Sequence, residues 1–200
     1  QTGHILAKVA ENNEKFNGKV FVVDNHRVSI TQRQSVIDAL NMAKEGKTAK
    51  EIYEWLMETS MKSSIYIMVD TLKYLKKSGR LTAAAAAVGT LLKIKPVLQI
   101  QGEKLDQYAK VRKVSDAKTT IIKAIKNDLE TRFKDLVDEG RMVVAVAHTD
   151  NPEEAEKFKA EMIAAFPNVE FVCIRPLSLS VASHIGPKAL AAGCAIKYKK

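Results

Sequence analysis

The 200-residue chain is 46% apolar and 28% charged, the proportions of an ordinary globular protein, which excludes a disordered or collagen-like chain. Its formal net charge of +9 favours acidic partners such as nucleic acid, anionic lipid or an acidic protein face, yet the basic residues are scattered, as on a solvated surface, rather than gathered in a dense run. Cys173 and Cys194 are too few and too far apart for a disulfide framework or a metal knuckle, and read as small core residues in a reducing cytoplasm.

The opening residues carry no signal-peptide pattern, and residues 2–10 read as the middle of something already folded. Residues 5–16 place apolar side chains at helical spacing and stop at Asn17-Gly18. Residues 19–23, Lys-Val-Phe-Val-Val, are a β-branched run expected to form a buried strand. After a turn at Asp24-Asn25-His26, residues 35–44 are helical in pattern and end at Glu45-Gly46. Thr48-Ala49-Lys50-Glu51 is a capping box, whose Thr and Glu side chains satisfy free amides where a helix begins, and opens a helix to about Met57. One strand among the first sixty residues has no sheet of its own. A boundary is therefore expected near residue 62, with residues 1–62 as the remnant of an N-terminal α/β lobe and 63–200 as a C-terminal α/β domain.

Residues 63–69 read as a strand, 72–77 as a short helix ended by Ser78-Gly79, and 83–92 as a helix of small residues, too short and too interrupted at Gly89-Thr90 to cross a membrane. Residues 95–100 and 106–111 suggest a hairpin around Gln101-Gly102, and 117–139 one long amphipathic helix. A strand over 142–147 precedes Asp150-Asn151-Pro152-Glu153-Glu154, a helix start with a cap, a proline in the first turn and acids facing the helix dipole. A strand over 169–174, a stop at Ile185-Gly186-Pro187, a short helix over 188–192 and a final strand over 194–198 complete the chain. Strands alternating with helices from Met142 argue parallel pairing, and the hairpin makes the sheet mixed: an α/β fold with flanking helices.

Much catalytic machinery is missing. No Gly-x-Gly-x-x-Gly or Walker loop supplies a phosphate cradle, and none of His4, His26, His148 and His184 forms a metal pair with a carboxylate at helical spacing. Asp70 and Asp150 each follow an expected strand and read as turn or cap residues. The positive charge keeps a winged-helix DNA-binding protein as the alternative, with a capped helix at Thr48, a helix over 64–74 and Gly79-Arg80-Leu81 opening a wing. Against it, Ile65-Tyr66-Ile67-Met68-Val69 is apolar and β-branched where a recognition helix presents polar residues.

The run from Leu72 to Pro96 reads Leu-Lys-Tyr-Leu-Lys-Lys-Ser-Gly-Arg-Leu-Thr-Ala-Ala-Ala-Ala-Ala-Val-Gly-Thr-Leu-Leu-Lys-Ile-Lys-Pro. This string resembles the DegV family, whose members carry a short helix with Tyr-Leu, then Gly-Arg-Ile/Leu, a small-residue helix, Gly-x-Leu-Leu, and Ile-Lys-Pro before a strand. Lys110-Val111-Arg112 falls where the family has a similar basic tripeptide. Ser183-His184-Ile185-Gly186-Pro187 resembles its His-x-Gly-Pro signature, and residues 19–24 with Val28-Ser29 resemble its strand-Asp-Ser…Val-Ser segment. The family's Thr-Thr-Ser-Gln-Pro-Ser is absent, and of its Ser-Ser-x-x-Ser-Gly-Thr only Thr2-Gly3-His4 matches a tail. Its Gly-Gln-Gly is here Thr31-Gln32-Arg33, and its glycine after Gly-Pro is Lys188. The chain is thus expected to be the C-terminal two-thirds of such a protein, truncated at its N-terminus.

The resemblance implies a two-lobed α/β architecture with an incomplete N-terminal lobe and a lipid-binding C-terminal domain. It implies a cytoplasmic, non-enzymatic carrier that takes no cofactor and binds a long-chain fatty acid, presenting its carboxylate to a separate fatty-acid kinase for acyl-phosphate formation. Transient contact with a membrane surface fits the basic charge, and no nucleic acid is implied. The implied ligand-binding residues are Ser183, His184, Arg80, Ser29 and Thr2, with His26 nearby. Ala84, Ala87, Val88 and Leu91 would line the tail's slot, and Arg112 would dock the partner. Taken alone, the alanines equally suit close helix–sheet packing, and His184 equally suits a satisfied core histidine.

Overall fold

The computed structural model describes residues 2–82, 94–100 and 105–199. Alternation along Ser63–Met68 (β1) sends Ile65 and Ile67 to one face and Tyr66 and Met68 to the other, all four buried, as befits a central strand covered on both sides. With Lys95–Ile100 (β2), Leu105–Val111 (β3), Met142–His148 (β4), Glu170–Pro176 (β5) and Leu190–Ile196 (β6), it forms a six-stranded sheet in the order β3-β2-β1-β6-β4-β5. Only β4 and β5 pair in parallel; every other neighbouring pair is antiparallel. The mixed α/β sheet expected from the sequence is present, and the hairpin of β2 and β3 lies at one edge.

One face is covered by Val114–Glu130 (α5), Lys134–Asp138 (α6) and Pro152–Ala165 (α7). Ile121, Ile125 and Leu129 of α5 and Phe158 and Met162 of α7 pack on Tyr66, Val144 and Ile196 of the sheet. The other face receives Ile30 from Ser29–Lys44 (α2), Leu75 from Lys73–Lys77 (α4) and Ile185 from Leu179–Ile185 (α8). Thr2–Glu11 (α1) and Ala49–Glu58 (α3) complete the helices described. The capping box of α3 forms as its sequence indicates: Glu51 N–H donates to Thr48 Oγ1 at 3.2 Å, and Thr48 N–H donates to Glu51 Oε2 at 2.8 Å.

Several local expectations are corrected. Residues 19–23 form no strand among the described residues. Phe21 instead lies 5.5 Å from the Tyr53 ring of α3, and an apolar run with no strand beside it cannot satisfy its amides as a sheet. The helix expected over 117–139 breaks after Glu130. Thr131 Oγ1 donates back to the Asn127 carbonyl at 2.6 Å, and Phe133, whose N–H reaches the Asp128 carbonyl at 3.0 Å, turns into the core. The helix expected over 188–192 and the final strand expected over 194–198 are instead a turn at Lys188 followed by one strand, β6, which runs between β1 and β4 and is antiparallel to both. A Cβ on Gly193 would meet the Ser64 carbonyl at 2.5 Å, so this small-residue strand is matched to a close neighbour rather than to a helix. Because residues 63–68 pair as β1, the recognition helix of the winged-helix alternative does not exist.

Candidate functional site

A cleft of about 790 Å3 opens over the second face, between the end of α4, helix α8, the start of the β3 strand and the segment leading into α2. Its apolar floor includes Val28, Leu75, Ile100, Leu105, Val181 and Ile185, and its polar rim carries His26, Arg27, Arg80 and His184. Asp24 is the only acid among the described lining residues, and it sits 3.6 Å from His26 Nδ1.

Each rim residue is held by local chemistry. Gly79, at φ 66, ends the α4 turn, and Arg80 follows with its carbonyl accepting the Leu105 N–H at 3.2 Å. Leu81 then makes a parallel bridge to Leu105. His184 stands in the last turn of α8, which ends at Gly186 with φ 86. A Cβ on Gly186 would meet the Tyr74 ring at 2.5 Å, so the absence of a side chain lets α8 cross α4. Thr149, buried just beyond β4, fastens the turn that follows: its Oγ1 donates to the Gly186 carbonyl at 2.6 Å and accepts the Ala189 N–H at 2.9 Å. The third wall is pinned by Arg27, which donates to the Thr59 carbonyl at 2.6 Å and to Ser35 Oγ at 3.0 Å. Burial draws the Arg27 guanidinium below its ordinary value, against the opposing attraction of Asp38. His26 beside it holds a left-handed φ of 54.

The structure brings His184 and Arg80 to one cleft, with His26. Ser183 does not join them. It is exposed, with Oγ donating to the Ser180 carbonyl at 3.3 Å. The cause is the helix: α8 turns residues 180, 181, 184 and 185 to the cleft, a stripe at i, i+1, i+4 and i+5 that leaves Ser183 outside it. Ser29 opens α2 at φ 55 and lines a neighbouring hollow of about 360 Å3 instead. Arg112 is exposed beyond the end of β3 and is not part of the cleft lining. Ala84, Ala87, Val88, Leu91 and the Thr2 side chain lie outside what is described. Asp70 pairs with Lys95 and Asp150 sits in a turn at φ 47, as the turn reading of both expects. Thr149, Arg27 and the floor residues Ile100, Leu105 and Val181 are not singled out by the sequence, because their partners lie far along the chain.

The arrangement suits an amphipathic acid, with a long apolar part over the floor and an anionic end against guanidinium and imidazole donors. Residues 4–197 match the family model described as "Uncharacterised protein, DegV family". A DegV domain-containing protein of Clostridium perfringens is 34% identical over 181 residues, which are 89% of this chain and 59% of that protein. The crystal structure of a fatty acid binding DegV family protein from Streptococcus agalactiae matches with a TM-score of 0.80 at 26% identity, covering 98% of this chain and 65% of the other. That of DegV, a fatty acid binding protein from Bacillus subtilis, matches with a TM-score of 0.70 at 29% identity, covering 89% and 61%. The chain therefore spans less than two thirds of the length of each of these relatives.

Proposed function

The chain belongs to the DegV family, and on that premise we propose that it binds a long-chain fatty acid in the cleft of His184 and Arg80 and presents the carboxylate to a separate fatty-acid kinase. The single supporting observation is the cleft itself, an apolar floor under a basic rim with one described acid. Each methylene laid on such a floor contributes about 0.8 kcal/mol, and a carboxylate leaving water needs donors at its end of the groove. The proteins from S. agalactiae and B. subtilis are described as fatty acid binding, which supports the same ligand here.

In this proposal His184 and Arg80 hold the carboxylate, with Ser29 and Thr2 as further hydroxyl candidates. Ala84, Ala87, Val88 and Leu91 line the tail. Arg80 is exposed, so the acid end stays within reach of a second protein, and the exposed Arg112 is its docking residue. The chain acts as a cytoplasmic carrier, leaving the phosphate chemistry to the kinase. Among the described residues, no helix is long and apolar enough to cross a membrane.

Lipid mass spectrometry of denaturing extracts, joined to equilibrium titration with a fluorescent fatty acid, tests the proposal. Saturable binding is expected, weakened about tenfold in His184→Ala, the cost of one charge-assisted hydrogen bond. A protein that yields no acyl chain and binds no fatty acid would overturn it.

A further inference from the structure

A groove of about 530 Å3 runs along α2 and is bounded by the starts of β4 and β5 and by the segment after β6. It shares no described lining residue with the cleft of His184 and Arg80. Asp38 lines it and is 1% exposed. The two oxygens of its carboxylate are served differently. Oδ1 accepts from Gln34 Nε2 at 2.9 Å and from the Tyr198 N–H at 3.0 Å. Oδ2 is the one buried side-chain oxygen among the described residues that has no hydrogen-bond partner. Burial raises the Asp38 carboxyl above its ordinary value, and the bonds at Oδ1 with the attraction of Arg27 and Arg141 offset only part of that rise. A buried acceptor left in this way is costly, and a charged donor placed on it removes the cost. The other two acids of the groove have such donors already: Glu170 pairs with Lys197 at 2.6 Å and Glu45 with Lys199 at 2.7 Å.

We infer that this groove binds a free amino acid with an aliphatic side chain, its ammonium group on Asp38 Oδ2 and its carboxylate on Arg33. The ammonium is the part that the orphaned oxygen calls for, a compact cation with donors only. Arg33 stands on the same face of α2, a little over one turn before Asp38, and is half-buried. Its planar fork matches a carboxylate, and a ligand carrying both signs leaves the charge of the groove unchanged. Between these two residues the lining is aliphatic: Ile37 of α2, Val143 of β4 and Val172 of β5. That surface suits an apolar side chain, and the volume lies in the range of small-molecule sites. Arg33 also borders the smaller hollow near Ser29, so the assignment is carried by Asp38 and not by the guanidinium. It does not rest on the fatty-acid reading of the cleft.

The test uses the whole chain and L-leucine as the probe, with isoamylamine, which lacks the carboxylate, and N-acetylleucine, which lacks the ammonium. Binding is measured by calorimetry, and the Asp38 carboxyl is followed by carbon-13 NMR in the unaltered protein, so that no variant is needed for that reading. Leucine is expected to bind saturably and to move the Asp38 titration to lower pH, because an adjacent ammonium favours the ionised form. The two partial probes are expected to bind about tenfold or more weakly, the loss of one charge-assisted contact each. Asp38→Asn keeps an oxygen for the Tyr198 N–H but sets an amide donor where Oδ2 stands, and is expected to weaken leucine about tenfold or more, as is Arg33→Gln. Lys123→Gln, on α5 across the sheet, is expected to change nothing. Absence of leucine binding, or an Asp38 titration that leucine does not move, means that water alone meets Oδ2 and overturns the site. Isoamylamine binding as tightly as leucine, with Arg33→Gln without effect, overturns the assignment to an amino acid.

Discussion

Lys188 occupies a backbone position that disfavours it. Its φ is 59, in the left-handed region where a Cβ crowds the following carbonyl, and its N–H is fixed to the Thr149 carbonyl at 2.8 Å. The resemblance in sequence marks this position as one where related chains have glycine, and the geometry supplies the reason. Lys188→Gly is expected to stabilise the protein by roughly 0.5–1 kcal/mol, the relief of strain being partly offset by greater freedom in the unfolded chain. A urea midpoint shifted upward at constant slope is the readout, and an unchanged or lowered midpoint shows that the turn does not strain Lys188. At this scale the sequence is legible where a residue stands in a string that resembles a family's: His184 and Arg80 are expected at the ligand through that resemblance, before any coordinates. It is silent where a residue acts through distant partners. Thr149 is an ordinary threonine until it meets Gly186 and Ala189, and nothing near it in the chain announces those bonds.

Elements are legible in proportion to how local their causes are. Helix α3 is written in its capping box, and the reciprocal bonds there, with help from Lys47, hold the Glu51 carboxyl at about 2. Strand β1 is written in its alternation. Strand β6 and the break between α5 and α6 are decided by neighbours: a close carbonyl across from Gly193, and a core that takes Phe133. The same neighbours make α5 and β1 depend on one another. Tyr66 Oη of β1 donates to Asp128 Oδ2 of α5 at 2.7 Å and accepts from Gln99 Nε2 at 3.1 Å. Arg132 donates to Asp128 Oδ1 at 3.2 Å and to Ser64 Oγ at 3.1 Å. Burial, and the Asp128 carboxylate beside it, push the Tyr66 hydroxyl upward, so it stays a proton donor. Tyr66→Phe keeps the ring and leaves a buried carboxylate oxygen without its donor. The expected loss is about 1–3 kcal/mol by chemical denaturation. A loss below about 0.5 kcal/mol would mean that water replaces the hydroxyl, and that the pairing of α5 with β1 rests on apolar packing alone.

At the scale of the molecule, the proposed division near residue 62 raises the question of whether its two sides fold independently. The contacts that cross it argue that they do not. Ile30 of α2 is buried against the sheet, a contact worth about 1.5–3 kcal/mol. Asp38 Oδ1 accepts the Tyr198 N–H at 3.0 Å, and Glu45 pairs with Lys199 at 2.7 Å. The Trp55 and Tyr198 rings meet edge to face at 5.6 Å. Trp55 is the protein's one tryptophan. Its fluorescence therefore reports α3, on the near side of the division, while far-UV circular dichroism is weighted to the larger α/β part beyond it. The two unfolding curves in urea should coincide, the signature of a single cooperative transition. Asp38→Ala removes the acceptor for the Tyr198 amide without touching the sheet, so it should move the fluorescence transition to lower urea ahead of the dichroism. Curves that already separate in the unaltered protein would show that the near side is only loosely docked, and would make the division at 62 a true folding boundary rather than a seam within one cooperative unit.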